Sequence, residues 1–399
     1  MKNTIMNSPK VNKRILALDI LRGFTIAGMI LVNNPGSWGH IYAPLRHAEW
    51  NGLTPTDLVF PFFMFIMGIS TYISLKKYNF EFSQSAALKI VKRTIVIFLI
   101  GCAIGWFSRF CRYWVTAPED LSFFENLWAS VWTFDRMRIL GVMQRLALCY
   151  GAASIVALTV KHKRIPYIIA TLLIGYFVIL MCGNGYEYNE TNILSIVDRA
   201  ILTPTHMYKD NGIDPEGLLS TLPSIAHVLL GFYVGKLMLD GNKSQDRMSF
   251  LNSQIVTLFL VGTILTFAGF LLSYGCPINK KIWSPTFVLT TCGLASSFLA
   301  LLIWIIDVKG KKKWSLFFEA FGVNPLFMYV LGGVLGILFG CIRFPWEDGM
   351  ISIHTFLYKI VLMPVFGQTG GSLAYALLFV TINWCIGYQL YKRKIYIKI

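Results

Sequence analysis

The chain has 399 residues, of which 55% are hydrophobic, 15% aromatic and only 14% charged, with a mean hydropathy of +0.58. Soluble domains carry roughly a quarter charged residues, so this composition excludes a soluble enzyme and points to a membrane protein. A net charge of +16 would suit a nucleic-acid binder, but the basic residues sit in short clusters between apolar runs, and no nucleic acid is expected as a partner.

The first apolar run, 15–33, contains Asp19 and Arg22 and lacks a small-x-small cleavage site, so it reads as a retained span rather than a secretory signal. Asp19 and Arg22 stand at i, i+3 and share a helix face on which they can pair. Ionisable groups in spans usually face the bundle interior, which also makes Arg22 a candidate for ligand contact. Asn33 and Asn34 end the run, and Pro35, Gly36 and Gly39 break it into a loop. That loop carries His40, His47, Glu49, Trp50, Asn51 and Thr54, then enters the second span, 57–75, at Asp57. Thr54 followed by Pro55 is an N-cap with proline at the first helical position, which puts Asp57 in the first turn, where the helix dipole favours a carboxylate. Asp57 therefore has a plain helix-start reading, and Trp38 and Trp50 the plain reading of interfacial aromatics. Imidazole is nonetheless the side chain best matched to proton transfer near neutral pH, which makes His47 a catalytic candidate.

Spans at 90–108 and 139–160 follow. Arg145, with Gln144 beside it, lies inside the fourth; an unpaired cation there is costly, so it pairs with Asp19 or meets an anionic ligand. Further spans are expected at 165–182, 218–239, 250–273, 285–306, 315–338 and 371–391. Ahead of the sixth, Asp214, Pro215 and Glu216 fit N-cap, N1 and N2. The stretch 351–366 is apolar but short, and reads as an interfacial or re-entrant helix. Windows this long read as helices, since only helices or closed barrels satisfy their backbone in lipid. The expected fold is all-α: a polytopic membrane protein of about ten transmembrane helices plus one interfacial or re-entrant helix, forming one membrane domain over 1–399.

Basic clusters fall at every second connection: Lys10, Lys13 and Arg14; Lys76 and Lys77; Lys89, Lys92 and Arg93; 161–164; Lys236, Lys243 and Arg247; 309–313; and 391–394. This positive-inside bias places both termini in the cytoplasm. The alternate connections, 34–56, 109–138, 183–217, 274–284 and 339–370, are the longer set, and function is expected there. Cys102, Cys149, Cys292 and Cys385 fall within spans and read as small apolar residues. Cys111, Cys182, Cys276 and Cys341 fall near outer ends, where an oxidising compartment permits disulfides in any of three pairings. Neither CxxC nor HExxH occurs, and no metal site is expected.

Several blocks carry a resemblance that spans most of the chain. They are "RILALDILRGFTIAGMILVNN" at 14–34, "HAEWNGLTPTDLVFPFFMFIMG" at 47–68, "RILGVMQRLALCY" at 138–150, "IDPEGLLSTLPSIAHVLLGFYVGK" at 213–236, "PINKKIWSPTFVLTT" at 277–291 and "GVNPLFMYV" at 322–330. In these the chain resembles the heparan-α-glucosaminide N-acetyltransferase family and its bacterial relatives. The resemblance implies a multi-pass protein of the bacterial cytoplasmic (inner) membrane and a possible homodimer. It implies transfer of an acetyl group from cytosolic acetyl-CoA to an amino sugar on the far side. It also implies that His47 of "HAEWNG" is catalytic and that Asn33 of "VNN" supports the reaction.

Chemistry then suggests roles. His47 takes a proton from the acceptor amine as general base, or carries the acetyl group as nucleophile. Asn33 and Asn51 offer amide donors to a developing oxyanion. Asp57 or Glu49 holds the imidazole tautomer. Arg22 and Arg145, with Gln144, are candidates for the pantetheine or phosphate part of the donor. Trp50, Asn51, Asn279 and Lys280 are candidates for the sugar, the "INKK" segment for an anionic one. O-acetylation of another envelope glycan keeps the same fold and donor. A solute or ion transporter would use the buried charges as a path, although no inverted repeat supports one. A catalytically silent scaffold is disfavoured by the presence of His47 and Asn33. The enzyme reading expects His47 and Asn33 at the outer end of a cavity that reaches inward past Arg22 or Arg145.

Overall fold

Proline breaks and glycine contacts decide how these apolar segments become packed helices. A computed structural model describes residues 15–118, 120–208, 210–240, 246–347 and 349–397. The basic residues Lys10, Lys13, Arg14 and Lys243 lie outside the described residues. The first helices are α1 (Leu16–Asn33), α2 (Val59–Leu75, entered through a 3-10 turn at Pro55–Leu58), α3 (Gln84–Thr116), α4 (Phe123–Val131) and α5 (Val142–Thr159). Next come α6 (Ile165–Cys182), α7 (Ile193–Leu202), α8 (Thr221–Asp240), α9 (Arg247–Leu272) and α10 (Pro285–Leu302, continued by a π-helical turn at Ile303–Val308). The chain closes with α11 (Leu316–Val323), α12 (Pro325–Cys341), the strands β1 (Arg343–Trp346) and β2 (Gly349–Ser352), α13 (Ile353–Thr355), a π-helical turn at Phe356–Leu362 and α14 (Met363–Lys392). The strands form an antiparallel hairpin in the register Arg343↔Ser352 to Trp346↔Gly349.

Among the described residues, 8 helices are long and apolar enough to cross a membrane, or up to 9 if one bent pair counts as a single span. The expected 90–108 span lies outside that set, within α3, a 33-residue helix whose stretch between Arg93 and Arg109 is free of charge. The bent pair corrects the straight span expected over 315–338. The chain turns by 79° between Lys313–Val323 and Pro325–Cys341. Pro325 cannot donate to the preceding turn and disfavours helical geometry at the residue before it, and Asn324 leaves the helix at φ −126°, ψ 57°. The Asn324 side chain closes the break: its Nδ2 donates to the Ile395 carbonyl at 2.8 Å, and the Ile397 N–H donates to its Oδ1 at 2.8 Å. The short helical segment expected at 351–366 forms, and Gly367 (φ 72°) separates it from the long final helix. It folds back on that helix, with Tyr358 Oη donating to the Gln368 carbonyl at 3.2 Å.

Close helix contacts rest on glycine. A Cβ on Gly68 of α2 would lie 2.2 Å from the Val228 carbonyl oxygen, and one on Gly231 of α8 would lie 2.2 Å from that of Phe65. Small residues of this kind let membrane helices approach backbone to backbone.

The five long connections meet at one end. Gly52 N–H donates to the Ile278 carbonyl at 2.8 Å, Trp50 Nε1 to that of Tyr186 at 2.8 Å, His206 Nδ1 to that of Met137 at 2.7 Å and His354 Nε2 to that of Pro35 at 3.3 Å. Contacts between the short basic connections lie at the opposite end, among them Lys76 to Asp240 at 2.8 Å.

Candidate active site

Asp57 organises the loop that precedes α2. Pro55 starts the 3-10 turn, and Asp57 Oδ2 accepts from the Thr54 N–H at 3.1 Å and the Thr54 hydroxyl at 2.9 Å. The helix-start role read from the sequence is therefore real, but the carboxylate does more. Oδ2 also accepts from the Ala48 N–H at 3.1 Å, which closes residues 48–57 into a ring, and Oδ1 lies 2.7 Å from His47 Nδ1. The Asp57 side chain is 1% exposed and that of His47 is 44% exposed. A buried carboxylate facing Nδ1 fixes the proton on that nitrogen and leaves Nε2 with its lone pair. Among the described residues, Nε2 has no protein partner.

The second wall comes from the connection between α9 and α10. Ser284 caps α10, accepting from the Phe287 N–H at 3.3 Å, and also accepts from the Asn279 N–H at 3.0 Å. Asn279 is buried, donates from Nδ2 to Asn51 Oδ1 at 3.1 Å and accepts from the Ile282 N–H at 3.2 Å. This fixed turn brings Lys280 Nζ to 3.3 Å from Asp57 Oδ1 and 3.0 Å from His47 Nδ1. With the Nδ1 proton directed at Asp57, the ammonium bonds the carboxylate, and its approach to the ring is a close contact. Burial pulls the Lys280 ammonium below its ordinary value, while Asp57 and Glu216 oppose that fall.

Trp50 stacks on Tyr188 with ring centroids 4.5 Å apart, and Tyr188 belongs to a further group. Lys281 Nζ donates to the Tyr188 hydroxyl at 2.6 Å and pairs with Asp210 at 2.8 Å. Both lysines of "INKK" are thus committed to internal carboxylates. His47, Asp57, Trp50, Asn51, Asn279 and Lys280, chosen from two distant parts of the sequence, come together in the structure.

Asn33 lies elsewhere. It lines a cavity of about 600 Å³ between α1, α3 and α12, together with Asn34, Trp38, Arg112, Arg343 and His354. His47, Arg22 and Arg145 are not among its lining residues. The expected single chamber is therefore met at Asn33 alone.

The remaining candidates are bonded to protein. Arg22 donates to Asp19 Oδ1 at 3.0 Å and to Ser70 Oγ at 2.9 Å, so the expected i, i+3 pair forms and the alternative Asp19–Arg145 pair does not. Arg145 is buried. It donates to the Gly217 carbonyl at 3.2 Å and to Ser220 Oγ, and its guanidinium lies 5.2 Å from the Trp283 ring centroid. Gln144 Nε2 approaches Cys102 Sγ at 3.6 Å across α3 and α5.

Asp214 is not the N-cap expected of it, because α8 begins at Thr221. Its carboxylate instead pairs with Arg138, which also binds Glu216, and accepts from the N–H groups of Tyr208 at 2.9 Å and Glu216 at 3.0 Å. Burial pushes the Glu216 carboxyl up, but Arg138 and Arg145 outweigh it and hold the group below its ordinary range. Among the described residues every cysteine is a thiol, and none of the outer four is in a disulfide. Arg138, Tyr188 and Asp210 escaped the sequence reading. The signals for Arg138 were its position just before an apolar run and at the head of the "RILGVMQRLALCY" block.

With this geometry in hand, the comparisons with known proteins bear on the chain. The family model described as heparan-alpha-glucosaminide N-acetyltransferase, catalytic, matches residues 14–269. The human heparan-alpha-glucosaminide N-acetyltransferase (Homo sapiens) is 27% identical over 374 residues, covering 79% of this chain and 52% of the human protein. The mouse protein of the same name (Mus musculus) is 26% identical over 446 residues, covering 97% of this chain and 60% of its own length. The chain spans between about half and three-fifths of the length of these curated relatives.

Proposed function

Because this chain belongs to the heparan-alpha-glucosaminide N-acetyltransferase family, we propose that it is a membrane acyltransferase that moves an acetyl group from acetyl-CoA to the amine of a glucosamine-like sugar, with His47 as general base. The observation that carries this reading is the 2.7 Å contact between His47 Nδ1 and the buried Asp57, which leaves Nε2 outward and unbonded among the described residues. As the amine nitrogen bonds to the acetyl carbon, it gives its proton to Nε2. The carbon–sulfur bond of the donor breaks, and the proton passes to the departing thiolate. Asp57 stabilises the imidazolium that forms in between. The neighbouring Lys280 ammonium is a like charge beside that imidazolium. Asn51 accepts from Asn279 through Oδ1, which leaves its Nδ2 as a donor for the developing oxyanion.

The donor supplies an activated acetyl group. Its phosphates are not assigned to Arg22 or Gln144, which are bonded to protein; buried Arg145 is held through Nη2, while its Nε and Nη1 have no partner among the described residues. The distribution of basic clusters supports cytoplasmic termini and a His47 loop on the outer face.

The test is product identification. Purified protein in detergent, given acetyl-CoA with glucosamine or glucose, is expected to form N-acetylglucosamine and to leave glucose unchanged. Acetylated glucose would replace amine transfer by hydroxyl transfer, and no product from either would remove the proposed reaction.

A further inference from the structure

The cavity beside Asn33 carries charge that the mechanism does not use. Arg112 at the end of α3 and Arg343 in β1 both line it, and neither is paired with a carboxylate among the described residues. None of the described residues lining it is acidic. Elsewhere at this end of the molecule Lys280 meets Asp57, Lys281 meets Asp210, and Arg138 meets Asp214 and Glu216, while Arg46 and Arg109 donate to backbone carbonyls. Arg112 and Arg343 differ from all of these, because neither guanidinium has a protein acceptor among the described residues. Trp38, 67% exposed, stands on the same lining, and an exposed indole offers a flat apolar face to a sugar ring. The guanidinium fork matches carboxylate, sulfate or phosphate. The cavity is bounded by the C-terminal end of α1, where the long loops gather, whereas the basic clusters that would meet a cytosolic nucleotide lie at the other end.

We propose that this cavity is an anion subsite for the acceptor: Arg112 and Arg343 bind a negatively charged substituent of the sugar, and Trp38 packs against the ring that bears it. This deepens the acceptor reading given above and rests on it. It also moves the anion contact from the "INKK" lysines to two arginines that are 231 positions apart in the chain.

Binding, measured by calorimetry on the full-length protein in detergent, separates the subsite from the reaction. Glucosamine 6-sulfate is expected to bind about tenfold tighter than glucosamine, in line with charge-assisted hydrogen bonds. In Arg112→Gln/Arg343→Gln that preference is expected to fall to about unity, while 3′,5′-ADP, a mimic of the nucleotide end of the donor, binds the variant as it binds wild type. In wild type, where folding is not in question, free sulfate is expected to weaken glucosamine 6-sulfate binding and spare glucosamine. Equal affinity for the two sugars in wild type overturns the proposal. So does a preference that survives in the variant, or a loss of 3′,5′-ADP binding, which would give the arginines to the donor. Acetyl transfer is followed in parallel: absent transfer with intact anion preference counts against the reaction and not against the subsite.

Discussion

A single carboxylate, Asp57, performs two tasks at the residue scale. The Thr54-Pro55 signal made its helix-start role legible, because capping is a local interaction over three residues. Its role toward His47 was only one of two options in the sequence, since Glu49 was as near along the chain. Burial decides between them: Asp57 is inside, while Glu49 is exposed. Asp57→Asn is expected to lower kcat by about 10²–10⁴ with a smaller change in KM, because the amide no longer fixes the Nδ1 proton or balances the imidazolium. Steady-state kinetics on protein of unchanged melting behaviour checks this. A second buried acid makes a stability prediction. Asp198 in α7 accepts from the Leu218 N–H at 2.8 Å through Oδ1, Oδ2 has no partner among the described residues, and burial pushes its carboxyl up to about 6. A folded pKa raised above the unfolded one of about 4 gives stability that is present at low pH and lost as pH rises through about 6. Asp198→Asn is therefore expected to flatten the fall in melting temperature between about pH 4 and pH 7, an effect of at most about 3 kcal/mol. An unchanged pH profile in the variant would contradict the buried-acid reading.

Among elements, most spans were legible because a bilayer demands long apolar helices. The break at Asn324 was not, although "GVNPL" contains it. Averaged hydropathy runs straight across a proline, and only the two hydrogen bonds to 395–397 show that the chain is designed to stop there. Asn324→Ala leaves the Ile395 carbonyl and the Ile397 N–H without these partners and is expected to cost about 1–3 kcal/mol. Thermal unfolding in detergent measures it, and a melting temperature equal to wild type would mean that the break is held by Pro325 alone. Asp214 teaches the same lesson in the other direction. Its Asp-Pro-Glu pattern was a sound local signal for a helix start, but Arg138, far away in sequence, claimed the carboxylate, and the helix began later.

For the whole molecule, the alternation of short basic and long connections was legible, and the structure gathers the five long ones at one end. Which of them touch was not legible. Lys280 lies 233 positions from His47, and no local pattern links an ammonium in one loop to an imidazole in another. The cavity at Asn33 depends on how α12 leans on α1 and α3 after the bend at Asn324, a tertiary consequence that hydropathy does not carry. The central claim is that His47, oriented by Asp57 and closed in by the 276–284 turn, is the proton acceptor of an acetyl transfer. The most direct test is transfer of labelled acetyl from acetyl-CoA to glucosamine by wild type and His47→Ala, side by side at equal folded concentration. Transfer by wild type and a loss of at least about 10²-fold in the variant is the predicted result; equal rates in the two proteins would contradict it.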